Sequence, residues 1–281
     1  MSTDAKAKVV VVMPAYNAAQ TLRMTYAALP QNLVDLVIVV DDGSTDQTRE
    51  IARELGLELF VHNRNYGYGA NQKTCYREAL NAGADIVAMV HPDYQYDPTL
   101  LPQVIAPIQA GKADVVLGSR LLGGNVVDQG MPWWKFIGNR VLTYLENVIF
   151  GLRLAEYHTG YRAFSRQVLE AVNFQMNSDG FVFDQEIIAQ IVELRGRIAE
   201  VPVPTRYMKE ASSASFVQSS VYGLQILWLL CKCVLHRCGL RVRQLQSLHR
   251  RYAPETTPGG GDQVRPGRNE ATRPPGPVST R

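Results

Sequence analysis

Polar residues gather in short clusters directly behind apolar runs of this 281-residue chain, and the residue types in them are those that bind phosphorylated ligands. Pro14-Ala15-Tyr16-Asn17 follows the first run and Asp41-Asp42-Gly43-Ser44-Thr45-Asp46 the second. His91-Pro92-Asp93-Tyr94-Gln95 follows the fourth, and Gly118-Ser119-Arg120 the fifth. A carboxylate accepts directional hydrogen bonds from N–H and O–H groups. A guanidinium grips phosphate through two parallel bonds, and a hard divalent cation takes oxygen ligands. In open α/β sheets ligands sit at the carboxyl ends of strands, so clusters repeated along one sheet edge mark a binding edge. Taken singly each is weak: Asp-Gly-Ser is a common turn, and Asp46 also suits a helix N-terminus.

The elements that position these clusters are legible as alternating apolar runs and helical patterns, the pattern of repeated βα units on a mostly parallel sheet. Strands are predicted over Val9 to Met13, Leu36 to Val40, Leu57 to Val61, Ile86 to Val90 and Val115 to Gly118. Their near-continuous apolar character implies cover on both faces. Between the second and third, Ser44 and Gln47 suggest a capping box, Ile51, Ala52 and Leu55 share one helix face, and Gly56 closes it. Beyond Gly118 the alternation stops. A loop is expected over Leu121 to Pro132, helices over Trp133 to Phe150 and Phe183 to Leu194, and a late strand over Ile198 to Val203. The apolar run Val221 to Leu235, interrupted by Gln225 and Lys232, reads as an amphipathic helix of roughly 20 Å, short of a ~30 Å hydrocarbon core. After Tyr252 the chain is rich in Pro, Gly and charge, which predicts a disordered tail.

Composition sets broad limits. With 46% hydrophobic and 20% charged residues the chain is ordinary globular protein, long enough for one large α/β domain with an appendage. A net charge of +3 is too small to point to nucleic acid, and no nucleic-acid partner is expected. Met1 to Lys8 has no apolar segment of the kind that directs secretion, and Cys75, Cys231, Cys233 and Cys238 form no CxxC pair. A reducing, cytoplasmic setting is expected. Cys231 and Cys233 point to different helix faces, so no zinc site is expected with His236 and Cys238.

PAYNA, VVDDGSTDQT, NRNYGYGANQKT, HPDYQ, GSR and HTGYRAFSR occur in this order between Val9 and Tyr207. In those segments the chain resembles the family 2 glycosyltransferases, in particular the branch of dolichol-phosphate mannose synthases and polyprenyl-phosphate sugar transferases. The resemblance implies a GT-A-type nucleotide-binding fold with a mostly parallel central sheet, a C-terminal amphipathic helix and a disordered tail. The chain divides into a glycosyltransferase domain over 1–207, with its nucleotide half ending near 119, an amphipathic helical segment over 208–252, for which a place on the membrane face and an ordinary packed core helix are both open, and the tail over 253–281. The resemblance also implies inverting transfer of a sugar from a nucleotide-sugar donor to a polyprenyl phosphate at the cytoplasmic face of the membrane, assisted by Mg²⁺ or Mn²⁺.

Residue by residue, the resemblance puts Pro14, Ala15, Tyr16 and Asn17 in the nucleotide pocket and gives Asp42 the base or ribose, with the neighbouring Asp41 an open alternative. Asn65, Gly67, Gly69 and Ala70 match a small-residue segment that lets backbone approach the nucleotide. Asp93 matches the metal-binding Asp and Gln95 the Gln after it, while His91 stands where the family has another Asp. A bond from His91 to the ribose and neutral packing are both open, packing being preferred for a lone histidine. Arg120 matches a phosphate-orienting arginine, and Arg162 matches a recurrent position that a buried ion pair explains equally well.

Two departures bear on the acceptor. Asp184 stands where the lipid-phosphate branch often has an amide, and Glu210-Ala211-Ser212-Ser213 replaces a common Ser-Lys pair, leaving Lys209 to supply the cation. If the acceptor is a hydroxyl of a polysaccharide or glycolipid, Asp184 is the candidate base. A phosphate monoester, with a second pKa near ~6, needs none. A third reading makes the His91 exchange the mark of a catalytically weak nucleotide-sugar-binding protein.

Overall fold

The computed structural model describes residues 6–122, 131–204 and 216–246. Among them, β1 (Val9–Ala15), β2 (Leu36–Asp41), β3 (Glu58–Val61), β4 (Ile86–Met89), β5 (Val115–Ser119), β6 (Arg162–Ser165) and β7 (Ile198–Pro202) form one sheet in the order β3-β2-β1-β4-β6-β5-β7. Pairing is parallel between β1 and β2, β1 and β4, β2 and β3, and β5 and β7. Only β6 runs against its neighbours, β4 and β5.

Along β1, Val10 and Val12 enter one hydrophobic cluster, while Val9, Val11 and Met13 enter the other. The sheet is therefore covered on both faces, as its continuous apolar strands require. One layer is built from α1 (Leu22–Ala27), α2 (Thr48–Glu54) and α4 (Leu101–Gln109). The opposite layer is built from α3 (Tyr68–Asn81), α5 (Trp133–Phe150), α6 (Arg166–Ala171), α7 (Phe183–Glu193) and α8 (Phe216–Arg237). Strand order reverses direction between β1 and β4, so the crevice of this sheet opens where Pro14–Asn17 and His91–Gln95 begin.

One element was not anticipated and two sequence expectations are corrected. First, HTGYRAFSR, given no element in the sequence reading, has β6 at its centre, inserted between β4 and β5. Second, the Ser44–Gln47 capping box does not form. Asp46 Oδ1 accepts the Thr48 N–H at 3.0 Å, and Ser44 Oγ is taken by the Asn17 N–H at 2.9 Å. Third, α8 has 22 residues and spans about 33 Å, and its stretch Val217–Arg237 is long and apolar enough to cross a bilayer. Lys232 does not break it, because its ammonium reaches Gln244 Oε1 at 2.7 Å. The expectations for the Leu121 to Pro132 loop (from 123 to 130), for Lys209 to Ser213 and for the tail lie outside the described residues.

Candidate functional site

The carboxyl ends of β1 and β2 are tied together by side chains that the sequence had placed there. Asn17, in the left-handed region at φ 52°, accepts the Thr45 N–H on Oδ1 at 2.9 Å while its own N–H goes to Ser44. Asn71 Nδ2 donates to Val40 O at 3.0 Å, holding α3 against β2. Tyr16, over half exposed, stands at the open rim.

Asp41 and Asp42 are both buried, but they are used differently. Asp42 Oδ1 meets His62 Nδ1 at 2.7 Å and accepts the Tyr66 N–H at 3.0 Å, and Oδ2 accepts the Gly67 N–H at 2.9 Å. That carboxylate clamps the segment containing Asn65 onto the end of β2. Asp41 Oδ2 accepts from Ser44 N and from Arg49 Nε, whereas Oδ1 is buried without a hydrogen-bond partner. A buried lone pair left open is costly unless a donor reaches it.

Gly67 and Gly69 make close approaches, and what they approach is protein. A Cβ on Gly67 would lie 2.7 Å from Asp179 O, and one on Gly69 would lie 2.3 Å from Ser178 O and 2.9 Å from Phe183 Cβ. The Gly69 N–H donates to Asp179 O at 2.7 Å, and Lys73 adds an ion pair to Asp179 at 2.7 Å. Gly69→Ala should cost about 1–3 kcal/mol, because backbone rather than a flexible side chain has to move. Urea unfolding measures this, and an unchanged midpoint would mean that the 178–179 turn yields freely.

From Tyr68 and Ala70 onward, α3 carries the site toward β4. The Tyr68 ring stacks on His91 at 5.6 Å and 4°, and Phe181 packs on Tyr68 at 4.9 Å. Burial pushes the His91 pKa down, which keeps the imidazole neutral at pH 7. A Cβ on Gly160 would lie 2.7 Å from the His91 ring, so the segment leading into β6 closes in on the ring. Two residues on, Asp93 accepts the Gln95 N–H on Oδ1 at 3.0 Å across a turn that holds Tyr94 at φ 56°. One carboxylate and one amide oxygen on a tight turn fit a cation that draws its other ligands from a substrate diphosphate and water.

Asp184, at the start of α7, is held by three donors. Its Oδ1 lies 2.9 Å from Arg162 Nη1 and accepts from Gln72 Nε2 at 3.0 Å, and its Oδ2 accepts the Tyr68 hydroxyl at 2.8 Å. Burial, and then the Asp184 charge, push the Tyr68 pKa well up, so the phenol stays a donor. Arg162 is fully buried in β6 and also bonds the Thr159 and Tyr157 carbonyls. Three donors, one of them the buried Arg162 guanidinium, thus occupy this carboxylate.

At the end of β5, Arg120 is held by Glu156, which accepts its backbone N–H and its Nε at 2.8 Å, and by the His158 carbonyl at 2.7 Å. Asn139 of α5 braces the same carboxylate at 2.9 Å. Burial and the Arg120 charge together push the Lys135 pKa down, so two cations stand close at this end. Sequence reasoning missed Tyr68, Gln72, Glu156 and His62. Tyr68 and Gln72 lie inside NYGYGANQKT, but nothing in their spacing announces a partner more than a hundred positions away.

Residues 10–172 match the model of glycosyl transferase family 2. A UDP-N-acetylglucosamine–dolichyl-phosphate N-acetylglucosaminyltransferase of Methanococcus voltae is 28% identical over 214 residues, covering 70% of this chain and 85% of that one. A polyprenol monophosphomannose synthase of Mycolicibacterium smegmatis is 27% identical over 207 residues, covering 70% and 76%. The crystal structure of glucosyl-3-phosphoglycerate synthase from Mycobacterium tuberculosis with UDP superposes with a TM-score of 0.63 at 21% identity, covering 84% and 82%. The same protein has been crystallised with Mn²⁺, UDP and glucosyl-3-phosphoglycerate.

Proposed function

The chain belongs to glycosyl transferase family 2 and is a nucleotide-sugar-dependent glycosyltransferase, and from that premise we propose that it transfers its sugar, with inversion, to a polyprenyl phosphate. The engagement of Asp184 by three protein donors carries this reading. A hydroxyl acceptor must lose its proton as it attacks, and the carboxylate available for that proton is occupied by Arg162, Gln72 and Tyr68. A phosphate monoester arrives ionised, so its oxygen forms the bond to the anomeric carbon as the bond to the nucleoside diphosphate breaks, with no proton to place. The lipid-phosphate names of the relatives from Methanococcus and Mycolicibacterium point the same way.

In this reading Pro14 to Asn17, Asp41, Asp42 and Asn65 to Ala70 form the nucleotide side. The open lone pair of Asp41 takes a donor of the nucleoside, while Asp42 positions the Tyr66–Gly67 backbone. Asp93 and Gln95 would hold Mg²⁺ or Mn²⁺. The bound cation supplies positive charge against the charge that grows on the departing diphosphate. Neutral His91, stacked on Tyr68, adds no negative charge beside Asp93 and forms part of the wall on that side. Arg120, set by Glu156, and Lys135 supply the positive potential that orients the acceptor phosphate.

Asp184→Asn is the test. With the matching nucleotide sugar, polyprenyl phosphate should be strongly preferred over the dephosphorylated alcohol, and the variant should lose less than about tenfold in kcat, since it removes no base. Transfer to the alcohol alone, collapsing in the variant, would replace this reading with base-dependent glycosylation of a hydroxyl. Donor binding without transfer to either acceptor would indicate a binding protein.

A further inference from the structure

The inward side of α5 carries a polar row, Asn139, Thr143 and Glu146, spaced four and three apart and all buried. The first two have partners. Asn139 braces Glu156, the acid that holds Arg120, and the Thr143 hydroxyl donates to Asn139 Oδ1 at 3.2 Å. Glu146 is different. It is fully buried, and neither carboxylate oxygen has a hydrogen-bond partner among the described residues. The group facing it is His158 Nε2, at 3.2 Å. Leu142, Leu145 and Phe150 of the same helix join the hydrophobic cluster around it. A buried carboxylate is expensive in such a place, and an apolar side chain of similar volume would serve stability at least as well. Its presence calls for a second purpose.

The His158 ring supplies that purpose, because three helices meet on it. Glu146 of α5 faces Nε2, while Nδ1 lies 3.2 Å from the Tyr222 hydroxyl of α8 and 3.1 Å from Gln185 Nε2 of α7. The Tyr222 ring stands edge-on to it, 5.8 Å away at 77°. Burial pushes the Tyr222 pKa well up and the Asp184 and Glu146 charges add to it, so the phenol keeps its proton for Gln185 Oε1 at 2.6 Å. The backbone of the same histidine faces the site: its carbonyl accepts from Arg120 Nη2 at 2.7 Å. Two residues earlier, Glu156 takes Arg120 Nε. Glu200 holds the start of this segment through the Ala155 and Glu156 N–H groups, and Thr159 Oγ1 donates to Gly118 O at 2.5 Å. Between those holds, the side chain of His158 sets where its carbonyl points.

We propose that Glu146 and His158 are positioning residues for the transfer reaction: the buried pair fixes the His158 carbonyl, and through it the direction in which the Arg120 guanidinium meets the acceptor phosphate. Neither side chain has to touch substrate, and that of His158 is only 9% exposed. The proposal rests on the phosphate-orienting role given to Arg120. It carries a signature of its own. A pair that served the fold alone would lower the melting temperature and leave the KM values where they are. A pair that acts through Arg120 weakens the acceptor and spares the donor, whose residues Asp41 and Asp93 stand at the ends of β2 and β4.

The full-length chain is compared with Glu146→Gln, close in shape but without the buried charge, and with His158→Gln, which keeps the carbonyl and loses the ring. Each is measured for the KM of a short-chain, water-soluble prenyl phosphate, the KM of the nucleotide sugar, and the melting temperature. The Arg120 Nε–H signal in nitrogen-15 NMR, identified by its loss in Arg120→Gln, reports the guanidinium with no acceptor present. We expect both variants to shift that signal and to raise the acceptor KM roughly five- to tenfold, with the donor KM unchanged. Glu146→Gln should melt close to the parent, since it removes a buried charge. Added to Arg120→Gln it should raise the acceptor KM no further, because its effect passes through that arginine. An unmoved Arg120 signal, an acceptor KM raised by Arg120→Gln but not by Glu146→Gln, or effects of the two that multiply would each overturn the positioning. A shifted signal in a protein whose parent turns over no prenyl phosphate would instead count against the proposed acceptor and leave the hold on Arg120 standing.

Discussion

Asp93→Ala is expected to lower metal-dependent transfer by about a hundred- to a thousandfold, the scale seen when one electrostatic stabiliser of a developing charge is removed. The reasoning is local. Asp93 supplies the carboxylate on a turn that otherwise offers an amide oxygen and a neutral imidazole, so no neighbouring acid takes its place. Its structural duty is a single bond from the Gln95 N–H, worth about 1 kcal/mol at most. The variant should therefore melt within a few degrees of the parent while its rate no longer responds to added Mg²⁺ or Mn²⁺. Steady-state turnover against metal concentration is the measurement, with a thermal melt as control. Near-parental rates at limiting metal would remove Asp93 from the site.

Arg162→Ala is expected to act on the fold itself, at a cost of about 3–5 kcal/mol. Arg162 is fully buried at the start of β6, and Asp184 is the counter-charge that holds it charged against the cost of burial. Truncation strands that carboxylate and also leaves the Thr159 and Tyr157 carbonyls without their donor. On a chain of this size such a loss lowers the melting temperature by about 6–20 °C. Adding Asp184→Asn should return part of it, since the amide carries no charge to strand. If the single variant melts like the parent, the ion pair is not holding β6 to α7.

That pair also shows where sequence reading stops. The strands β1, β2, β4 and β5 were legible within two residues because each is an unbroken apolar run buried on both faces. Helix α5 was legible to its termini, closed by Gly151 at φ 72°. By contrast β6 is four residues long and opens on an arginine in the middle of the sheet, a position for which no hydrophobic pattern gives a signal. Arg162 is tolerated there only because Asp184 lies opposite in space, and their separation along the chain hides the match. Ser44 and Gln47 were misread for a related reason. The side chain that looked like a helix cap is spent on the Asn17 backbone, a contact between two loops. In the site, the residues at strand ends were readable by position, while the contacts of Asp184 depended on Tyr68 and Gln72 from α3 and Arg162 from β6 converging on it.

The insertion of β6 between β4 and β5 has a consequence for how the polypeptide is made. A ribosome delivers β4 and β5 long before β6, yet neither pairs with the other in the finished sheet. When Ser119 has emerged, β1 to β4 can already pair, but the outer edge of β4, Ile86–Met89, is a row of unpaired peptide groups on an apolar strand. β5 has no partner at all until β6 and then β7 arrive. Open apolar edges of this kind are templates for wrong pairing, and pairings that must wait for distant segments are slow. The growing chain thus carries its greatest hazard in mid-synthesis, and the antiparallel strand that arrives last at the centre of the sheet is the piece that ends it.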